Sequence, residues 1–542
     1  MGMYDRQLLG YNTKLLSISG KLLRLFATGL YTFEEVNTMI LTQNYIPVAT
    51  AAELDALRTT TSQTMGAGSP WEGTYTTGLD KKYVQVENLD LSAYQSGEGW
   101  NPISAFVGTY DGNELVISEL LINTTAASTG VGLFGSSTSA VNKTLKNIRL
   151  GGNITAINAL STGLLAGVLA DGVSSVVNCH AIGNVTGGNR TGGLIGQSGG
   201  GGIIGTEITN SEFSGTVTGL ASVGGLLGTA YNATTISNIY CNATVNGNND
   251  TGGIVGNIRV SCQLSDSVFT GLEVNGNRYV GGAIGRIESS GSNITNTNST
   301  TNISGVGDIG GFVGYTLGVN TFDNCHYSGD ITNTSTYTGG FVGFITAGGI
   351  IRNSTASGSA TSSSIEVGGF GGRVQSNGTL IEKCSSSVNV SSSSTSSTVS
   401  CAGFVGVLVT GNATIKNSFA TGSATLTSTG SRVAGFAGST GINIIENCYS
   451  IGAVSGNVPG GFLAFNQGTV TNCYYDSQTS GMSDTGKGNP RTTAQMKEGT
   501  ADSFILPAGG IDGDNLAANA IYTAWSNDIW EFTPDNEYPT LK

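Results

Sequence analysis

Charged residues are scarce in this sequence: Asp, Glu, Lys and Arg make up 11% of its 542 residues, against about 25% in an average soluble protein. The 23 basic residues form no run or stripe and the formal net charge is −13, so no nucleic-acid partner is expected. Apolar runs long enough to cross a membrane, roughly 18 residues or more, are also missing, so no membrane insertion is expected. Lys21 and Arg24 interrupt the apolar stretch after Leu15, which predicts that no cleavable signal peptide is present.

Glycine, in contrast, is abundant, with 84 residues, and much of it lies in a Gly-Gly-apolar-apolar-Gly motif. The motif and its variants recur with a mean period of about 30 residues, which is typical of a solenoid. The twelve occurrences begin at or near Gly132, Gly163, Gly192, Gly224, Gly252, Gly281, Gly310, Gly339, Gly369, Gly403, Gly435 and Gly461.

Regularly spaced apolar residues supply each repeat with an inward-facing side, since residues alternate along short β-strands. One column is aliphatic and is expected to stack as a ladder: Ile208, Ile236, Leu264, Ile294, Phe322, Ile351, Ile381, Ile415 and Ile445. A second column is aromatic and belongs to the glycine motif of the later repeats: Phe312, Phe341, Phe370, Phe404, Phe436 and Phe462. We read each repeat as three short β-strands, too short and too rich in glycine for helices.

Asparagine recurs two positions after the aliphatic column and is followed by Cys or Ser. This spacing predicts an asparagine ladder at a turn, with stacked amides bonded from coil to coil, while glycines provide the positive φ angles at corners. The predicted ladder consists of Asn178, Asn210, Asn238, Asn296, Asn324, Asn353, Asn417, Asn447 and Asn472.

These columns predict an all-β fold, a right-handed parallel β-helix (β-solenoid) of about 12 coils with a short helical N-terminal segment. We divide the chain into a helical segment at residues 1–45, an N-terminal cap with the first coils at 46–125, solenoid repeats at 126–476 and a C-terminal cap at 477–542. Trp71 and Trp100 are expected to anchor the first coils, and Trp525, Trp530 and Tyr538 the last cap.

The repeats resemble the GLUG-motif family, which is found in bacterial surface adhesins and in the stalks of some IgA-cleaving peptidases. Residues 447–456, which read Asn-Cys-Tyr-Ser-Ile-Gly-Ala-Val-Ser-Gly, and the Gly460-Gly461-Phe462 that follows carry the resemblance most closely. It extends over roughly residues 100 to 480. The resemblance implies a β-helix with an adhesive or architectural role, and the family offers no catalytic residues to carry over.

The N-terminal segment combines a basic character with apolar residues near helical spacing. These residues are candidates for docking to a larger particle or for oligomerisation, with simple capping as the alternative: Leu15, Ile18, Leu22, Leu25 and Phe26. Thr32 and Glu35 match a capping box that opens a second helix.

The sequence contains little evidence for a catalytic site or a metal site. His180 and His326 are the only histidines and occupy the same repeat position, so we expect outward-facing residues and no metal ligands, and no cofactor is expected. A glycosidase needs two carboxylates about 5 to 10 Å apart, but the candidates are scattered: Glu207, Glu212, Asp323, Asp330, Glu366 and Glu382.

Cysteine alternates with serine in one column, which indicates a small buried side chain and not a disulfide. The alternative is a disulfide between Cys448 and Cys473, which would be within range of each other if they sit on neighbouring coils. The eight cysteines are Cys179, Cys241, Cys262, Cys325, Cys384, Cys401, Cys448 and Cys473.

These observations lead to the hypothesis of a non-enzymatic structural and adhesive appendage in a virion or at an extracellular surface, most simply a phage tail fibre or spike. Its partners would be a host cell-surface glycan or protein and other virion subunits bound through the N-terminus, with a homo-oligomer possible. The alternatives are a cell-surface adhesin and a polysaccharide-depolymerising spike.

Overall fold

The computed structural model is all-β, a parallel β-solenoid of about 13 turns with a few short helices, which confirms the predicted fold class. It describes the strand backbones at 13–18 and 21–26, and residues 30–66, 69–170, 172, 174–200, 205–363, 365–375, 378–409, 411–427, 431–485, 487–497, 521–522, 524–532 and 537–542. The chain divides into two compact units, one formed by residues 1–247 and 254–263, the other by residues 248–253 and 264–542.

A complete coil contains four strands, which we assign in chain order to sheets I, II, III and IV. In the coil that starts at residue 321 they are Thr321–Asp323, His326–Asn333, Tyr337–Gly339 and Val342–Ile345. The prediction of three strands per repeat was therefore wrong. The glycine motif does not form one strand, because it bends between sheet III and sheet IV.

In the first unit, successive strands of each sheet pair in parallel. Sheet I contains Tyr45–Val48, Lys82–Gln85, Thr109–Asp111, Lys143–Lys146, Ser174–Val177, Thr206–Thr209, Thr234–Ser237 and the start of Cys262–Ser265. Sheet II contains Leu89–Asp90, Val116–Asn123, Arg149–Ala156, His180–Gly187, Glu212–Thr218 and Tyr240–Asn246. Sheet III contains Ser161–Thr162, Arg190–Gly192 and Ser222–Gly224, and sheet IV contains Phe134–Ser137, Ala166–Leu169, Ile195–Ser198, Leu227–Ala230 and Val255–Ile258.

In the second unit the pairing is again parallel. Sheet I contains Asn293–Thr295, Thr321–Asp323, Ile350–Arg352, Leu380–Glu382, Thr414–Lys416, Ile444–Glu446 and Thr469–Thr471. Sheet II contains Val268–Phe269, Glu273–Asn275, Asn298–Thr300, Asn302–Gly305, His326–Asn333, Thr355–Ser362, Ser385–Ser392, Phe419–Ala420, Ala424–Leu426, Tyr449–Ser450, Val454–Ser455, Tyr474–Asp476 and Asn489–Arg491. Sheet III contains Asp250–Gly252, Val280–Gly281, Ile309–Gly310, Tyr337–Gly339, Glu366–Gly368, Ser400–Ala402, Arg432–Ala434 and Val458–Gly460. Sheet IV contains Ile284–Ile287, Val313–Thr316, Val342–Ile345, Gly371–Val374, Val405–Leu408, Ala437–Thr440 and Leu463–Asn466.

The glycines of the motif are required by close backbone approach and not by their φ angles. At Gly343, an added Cβ would lie 2.5 Å from the carbonyl oxygen of Gly314 and 2.8 Å from backbone atoms of Ile309. No side chain fits there without moving the neighbouring coil. Glycines supply positive φ at other corners, as expected: Gly199 (φ 70°) and Gly318 (φ 86°) lie between sheet IV and sheet I, whereas asparagine carries the left-handed corner that follows sheet I.

The N-terminal residues predicted to form a first helix are instead two antiparallel strands, Thr13–Ile18 and Lys21–Phe26, with Ile18 opposite Lys21. The helical interpretation of Leu15, Ile18, Leu22, Leu25 and Phe26 was therefore wrong; their side chains lie outside the described residues. Short apolar runs fit either period, and the Ser-Gly dipeptide between the two runs is typical of a two-residue turn.

The predicted second helix is confirmed. It spans Phe33–Gln43, and Thr32 and Glu35 form the capping box. Val36, Met39 and Ile40 are buried against Tyr45 and Val84 of the first strands. Tyr31 donates a hydrogen bond to the buried Asp111 at 3.0 Å, so this helix covers the start of the first unit.

The remaining short elements lie at the ends of the two units. The first unit also has the helices Ala51–Asp55, Ala56–Arg58 (3₁₀) and Ser92–Tyr94 (3₁₀), and the antiparallel strands Ser62–Met65 and Gly73–Thr76. The second unit ends with the helices Ser477–Ser480 and Thr493–Lys497 and the antiparallel strands Trp530–Glu531 and Thr540–Leu541. Trp525 and Trp530 are buried against Tyr449 and Tyr474, and Trp100 is buried in the first unit, whereas Trp71 is half-buried.

Candidate functional site

The aliphatic column lies on the inner side of sheet I, and all its members are buried. In the first unit Ile208 is in register with Ile236. In the second unit six successive strands place their column residues in register: Ile294, Phe322, Ile351, Ile381, Ile415 and Ile445. Leu264 is buried on an earlier strand. These contacts hold the coils together from inside and leave no polar group in the core column.

The phenylalanine column forms a continuous stack in the second unit. Ring centroids of consecutive members are 4.9, 4.9, 4.9, 4.7 and 4.6 Å apart, and consecutive rings are within 12° of parallel. The stack consists of Phe312, Phe341, Phe370, Phe404, Phe436 and Phe462. Offset stacking of this kind adds about 0.5–1.5 kcal/mol per pair to the burial of the rings.

The asparagine column occupies the corner between sheet I and sheet II, where every member has a left-handed backbone with φ between 48° and 54°. Asparagine adopts this conformation at lower cost than most residues. Side-chain amides bond between coils: Asn178 donates to Asn147 at 2.8 Å, Asn324 to Asn296 at 2.9 Å and Asn472 to Asn447 at 3.2 Å. Asn210 accepts from Asn238 and Asn417 from Asn447.

The asparagine ladder is interrupted at three places in the second unit. Asp266 takes the column position before Asn296, with a left-handed φ of 50°. Lys383 takes the column position after Asn353 and keeps the left-handed φ, at 53°. Asn353 donates to the carboxylate of Asp323 at 2.7 Å. The left-handed corner, and not the amide chain, is therefore the common feature of the column.

All eight cysteines are buried, and none of them forms a disulfide bond, as expected. Serines of the same column accept hydrogen bonds from the coil before them: the backbone N–H of Cys325 donates to Ser354 Oγ at 3.2 Å, and that of Cys384 to Ser418 Oγ at 3.2 Å. Burial raises the pKa of Cys325 to about 12, so this thiol is not a nucleophile at neutral pH.

The two histidines and most of the candidate carboxylates are engaged in contacts with the next coil. His180 Nδ1 lies 3.2 Å from Glu212 Oε2, and His326 bonds Thr355 at 2.8 Å. In the second unit, two acidic residues form ion pairs with the next coil: Asp323 with Arg352 at 2.8 Å and Glu382 with Lys416 at 2.9 Å. A third, Asp330, accepts a hydrogen bond from Ser359 at 2.7 Å. Glu207 lies on the exposed side of sheet I.

Glu366 differs from these carboxylates because it is buried, with 7% of its surface exposed. Its Oε1 accepts from Arg373 Nη1, while Oε2 has no hydrogen-bond partner among the described residues. Burial raises the pKa of Glu366 to about 7, and the charge of Arg373 only partly offsets this rise. Asp308 lies in the same column two coils earlier, and burial raises its pKa as well.

Around Glu366 the second unit carries a cluster of arginine and aromatic side chains on the outer side of sheets III and IV. We call it the aromatic–arginine patch. Its members are Arg278, Tyr279, Arg286, Asp308, Tyr315, Tyr337, Phe344, Glu366 and Arg373.

Four members of the patch occupy one register of sheet IV on four consecutive strands: Arg286 is opposite Tyr315, Tyr315 opposite Phe344, and Phe344 opposite Arg373. Tyr337 lies edge-on to Phe344, with ring centroids 4.9 Å apart. All four sheet IV residues are half-buried, so the patch is accessible on one side and fixed on the other.

The guanidinium groups of the patch hold its rings in place. Arg286 Cζ lies 5.0 Å from the centroid of Tyr279 and Arg373 Cζ lies 5.2 Å from that of Tyr337. Tyr279 and Tyr315 are 4.6 Å apart. Such cation–π contacts stabilise by about 0.5–2 kcal/mol, which makes the cluster a preorganised surface.

Of these residues, only Glu366 was a candidate on the basis of the sequence, although the others recur at a regular spacing. Arg286, Tyr315, Phe344 and Arg373 each follow the third glycine of a motif, at a constant spacing of 29 residues. Tyr279, Asp308, Tyr337 and Glu366 repeat at the same spacing before the motif.

Among the described residues, no group of three or more His, Cys, Asp or Glu is placed to hold a metal ion. In the same part of the chain, no helix is both long and apolar enough to cross a membrane.

The parallel β-solenoid and its GLUG repeat together indicate that this protein is structural or adhesin-like. The family model described as the GLUG motif matches residues 334–361, so the chain contains this motif, as the sequence resemblance predicts. That segment includes Tyr337, Phe341 and Phe344.

Two comparisons with individual proteins complete the picture. A protein of Evansella cellulosilytica, named "Putative Gly-rich membrane protein", is 44% identical over 93 residues, which cover 16% of this chain and 11% of that relative. The chain therefore spans about a tenth of the length of the curated relative that it matches. A crystal structure of a "putative immunoglobulin A1 protease" from Bacteroides ovatus aligns over 96% of both chains with 13% identity and a TM-score of 0.24.

Proposed function

We propose that this protein is a non-enzymatic structural and adhesive appendage, carried on a virion as a tail fibre or spike that binds the host surface. The observation that supports this proposal best is the coil-to-coil pairing of like residues within each unit, exemplified by the six-membered phenylalanine stack. Such pairing makes a stiff scaffold in which each coil depends only on its neighbours.

The outer side of sheet II supports an adhesive role because it is polar and regularly spaced. In the first unit Asn184 donates through its side chain to Asn153 at 2.9 Å. In the second unit Ser359 donates to Asp330 at 2.7 Å, and the backbone of Asp330 donates to Asn302 at 3.1 Å. These exposed amides and hydroxyls, repeated at about 4.8 Å from strand to strand, offer hydrogen bonds to a polar ligand.

A cell-surface adhesin is the second candidate, because the relative from Evansella cellulosilytica is named a membrane protein. In the virion version, residues before Leu30 attach the protein to the particle. Residues 30–43 are kept out of that role because Tyr31, Val36 and Met39 pack on the first coils.

The test compares the solution mass of the full chain with that of a version lacking residues 1–29, which leaves the helix Phe33–Gln43 as a cap. We expect the full chain to assemble and the shorter version to remain a folded monomer. Mass spectrometry of purified virions and of washed host cells then separates the two candidates. Beads coated with the protein should adhere to host cells and release no sugar from surface polysaccharide.

Each outcome of these experiments decides between the candidate functions. Monomers in both cases would overturn N-terminal docking, and recovery in the cell envelope but not in virions would favour the adhesin. Release of oligosaccharides by the coated beads would identify a depolymerising spike and overturn the non-enzymatic proposal.

A further inference from the structure

The aromatic–arginine patch is not required by the solenoid itself. At the same register of sheet IV, later coils carry Val407, Ser439 and Phe465. Valine and serine therefore satisfy the fold at this position. The concentration of Arg286, Tyr315, Phe344 and Arg373 on four consecutive coils calls for another explanation.

Two polar atoms in the patch are buried without a hydrogen-bond partner among the described residues, Glu366 Oε2 and Arg286 Nε. A buried polar group left unpaired costs about 1–3 kcal/mol. Both atoms are covered by protein, so a ligand can reach these side chains only at their exposed ends, such as the terminal guanidinium nitrogens of Arg286, whose side chain is 29% exposed.

Half-buried rings beside these groups offer apolar surface as well. The ring centroid of Phe344 lies 5.5 Å from that of Tyr315 and 4.9 Å from that of Tyr337. The three arginines of the patch face three carboxyl groups, Asp308, Glu366 and Glu288, the last of which pairs with Arg286 at 3.1 Å. The formal charge of the surface is therefore zero when Glu366 is ionised and one positive charge when Glu366 is protonated.

We propose that the patch binds a neutral oligosaccharide, with Tyr315 and Phe344 against the apolar faces of its rings and with the exposed guanidinium groups of Arg286 and Arg373 hydrogen-bonded to its hydroxyls. Sugars combine apolar C–H faces with hydroxyl groups, and aromatic rings next to planar polar side chains match both. This inference rests on the proposed adhesive function and gives it a ligand class.

The test uses the full chain and a panel of hexasaccharides as probes: cellohexaose, maltohexaose, mannohexaose and xylohexaose as neutral sugars, and hexagalacturonate as an acidic one. Affinities are measured by isothermal titration calorimetry. The test variants are Phe344→Val and Tyr315→Val, because Val407 shows that valine fits this register. The matched control is Phe465→Ala, which removes the half-buried ring that lies in the same column outside the patch.

We expect at least one neutral hexasaccharide to bind, each valine variant to weaken that binding tenfold or more, and Phe465→Ala to leave it unchanged. Equal binding by the valine variants, binding of hexagalacturonate alone, or no binding by any probe would overturn the inference. Adhesion of coated beads that survives Phe344→Val would refute the patch and leave the proposed function standing, whereas absence of adhesion by the unmodified chain would refute the function itself.

Discussion

Replacing Phe370 with leucine isolates the contribution of ring stacking, because leucine keeps most of the buried apolar volume. Phe370 stacks on Phe341 and on Phe404, in both cases with ring centroids 4.9 Å apart and planes within 6°. At about 0.5–1.5 kcal/mol per pair, the loss of both stacks lowers the free energy of unfolding by about 1–3 kcal/mol.

The effect should also be local, since each coil of a solenoid is stabilised by its immediate neighbours. Hydrogen–deuterium exchange read by mass spectrometry should therefore rise in peptides that contain Phe341, Phe370 and Phe404. Peptides around Phe312 and Phe462, at the two ends of the column, should change little.

Phe462→Leu is the matched control, because among the described members of the column Phe462 stacks on Phe436 alone. Its cost, read from denaturant unfolding, should be about half that of Phe370→Leu. Equal costs for the two variants, or faster exchange throughout the second unit, would refute the idea that pairwise stacking holds the coils.

Three further predictions concern the corner, the thiols and the buried carboxyl. Asn353→Ala should destabilise the chain by about 1–2 kcal/mol because alanine is strained in the left-handed conformation, and Asn353→Gly should recover part of that loss; thermal unfolding checks both. Cys325→Ser should cost less than about 1 kcal/mol because serine already fills this column elsewhere, and a thiol reagent should leave native Cys325 unmodified, as intact-mass measurement would show. The folded pKa of Glu366 is about 7, above its ordinary value of 4.5. The contribution of this group to the free energy of unfolding is therefore largest below pH 4.5. It falls as the pH rises toward 7, by up to about 3 kcal/mol. Arg373 and Asp308 are the charged groups that face it, and Glu366→Gln should remove this part of the pH dependence without moving the rest; an unchanged pH profile would contradict the buried, protonated state.

The interior of the molecule was predictable because packing there repeats in every coil. A period of about 30 residues with strand alternation located Ile351 and Phe341 on the inner side, where the structure has both. The asparagine corner was located for the same reason, since a left-handed turn tolerates few residue types and recurs once per coil.

The ends were less predictable because they have no repeat to correct a local misreading. A run such as Lys14 to Phe26 satisfies helical and strand periods equally well, and only a pairing partner decides between them. The helix at Phe33–Gln43 was found because its capping box is a local signal that needs no partner.

The outer surface was not predicted, for a third reason. Its residues differ in type from coil to coil, so a column of aligned positions is hard to recognise in the sequence. Gly343 cannot accept a side chain because the neighbouring coil touches it, yet the next position accepts Arg, Tyr, Phe, Val or Ser on successive coils of the second unit. Within a single motif, one position thus excludes any side chain (the rigid position), and the next accepts several residue types (the free position). The rigid position fixes the register, and the register brings whatever occupies the free position into line with its counterparts on adjacent coils, about 4.8 Å apart. A solenoid can therefore acquire a local binding surface by substitutions that leave the core unaltered, and Phe344→Val tests this because binding should fall while the buried core contacts stay in place.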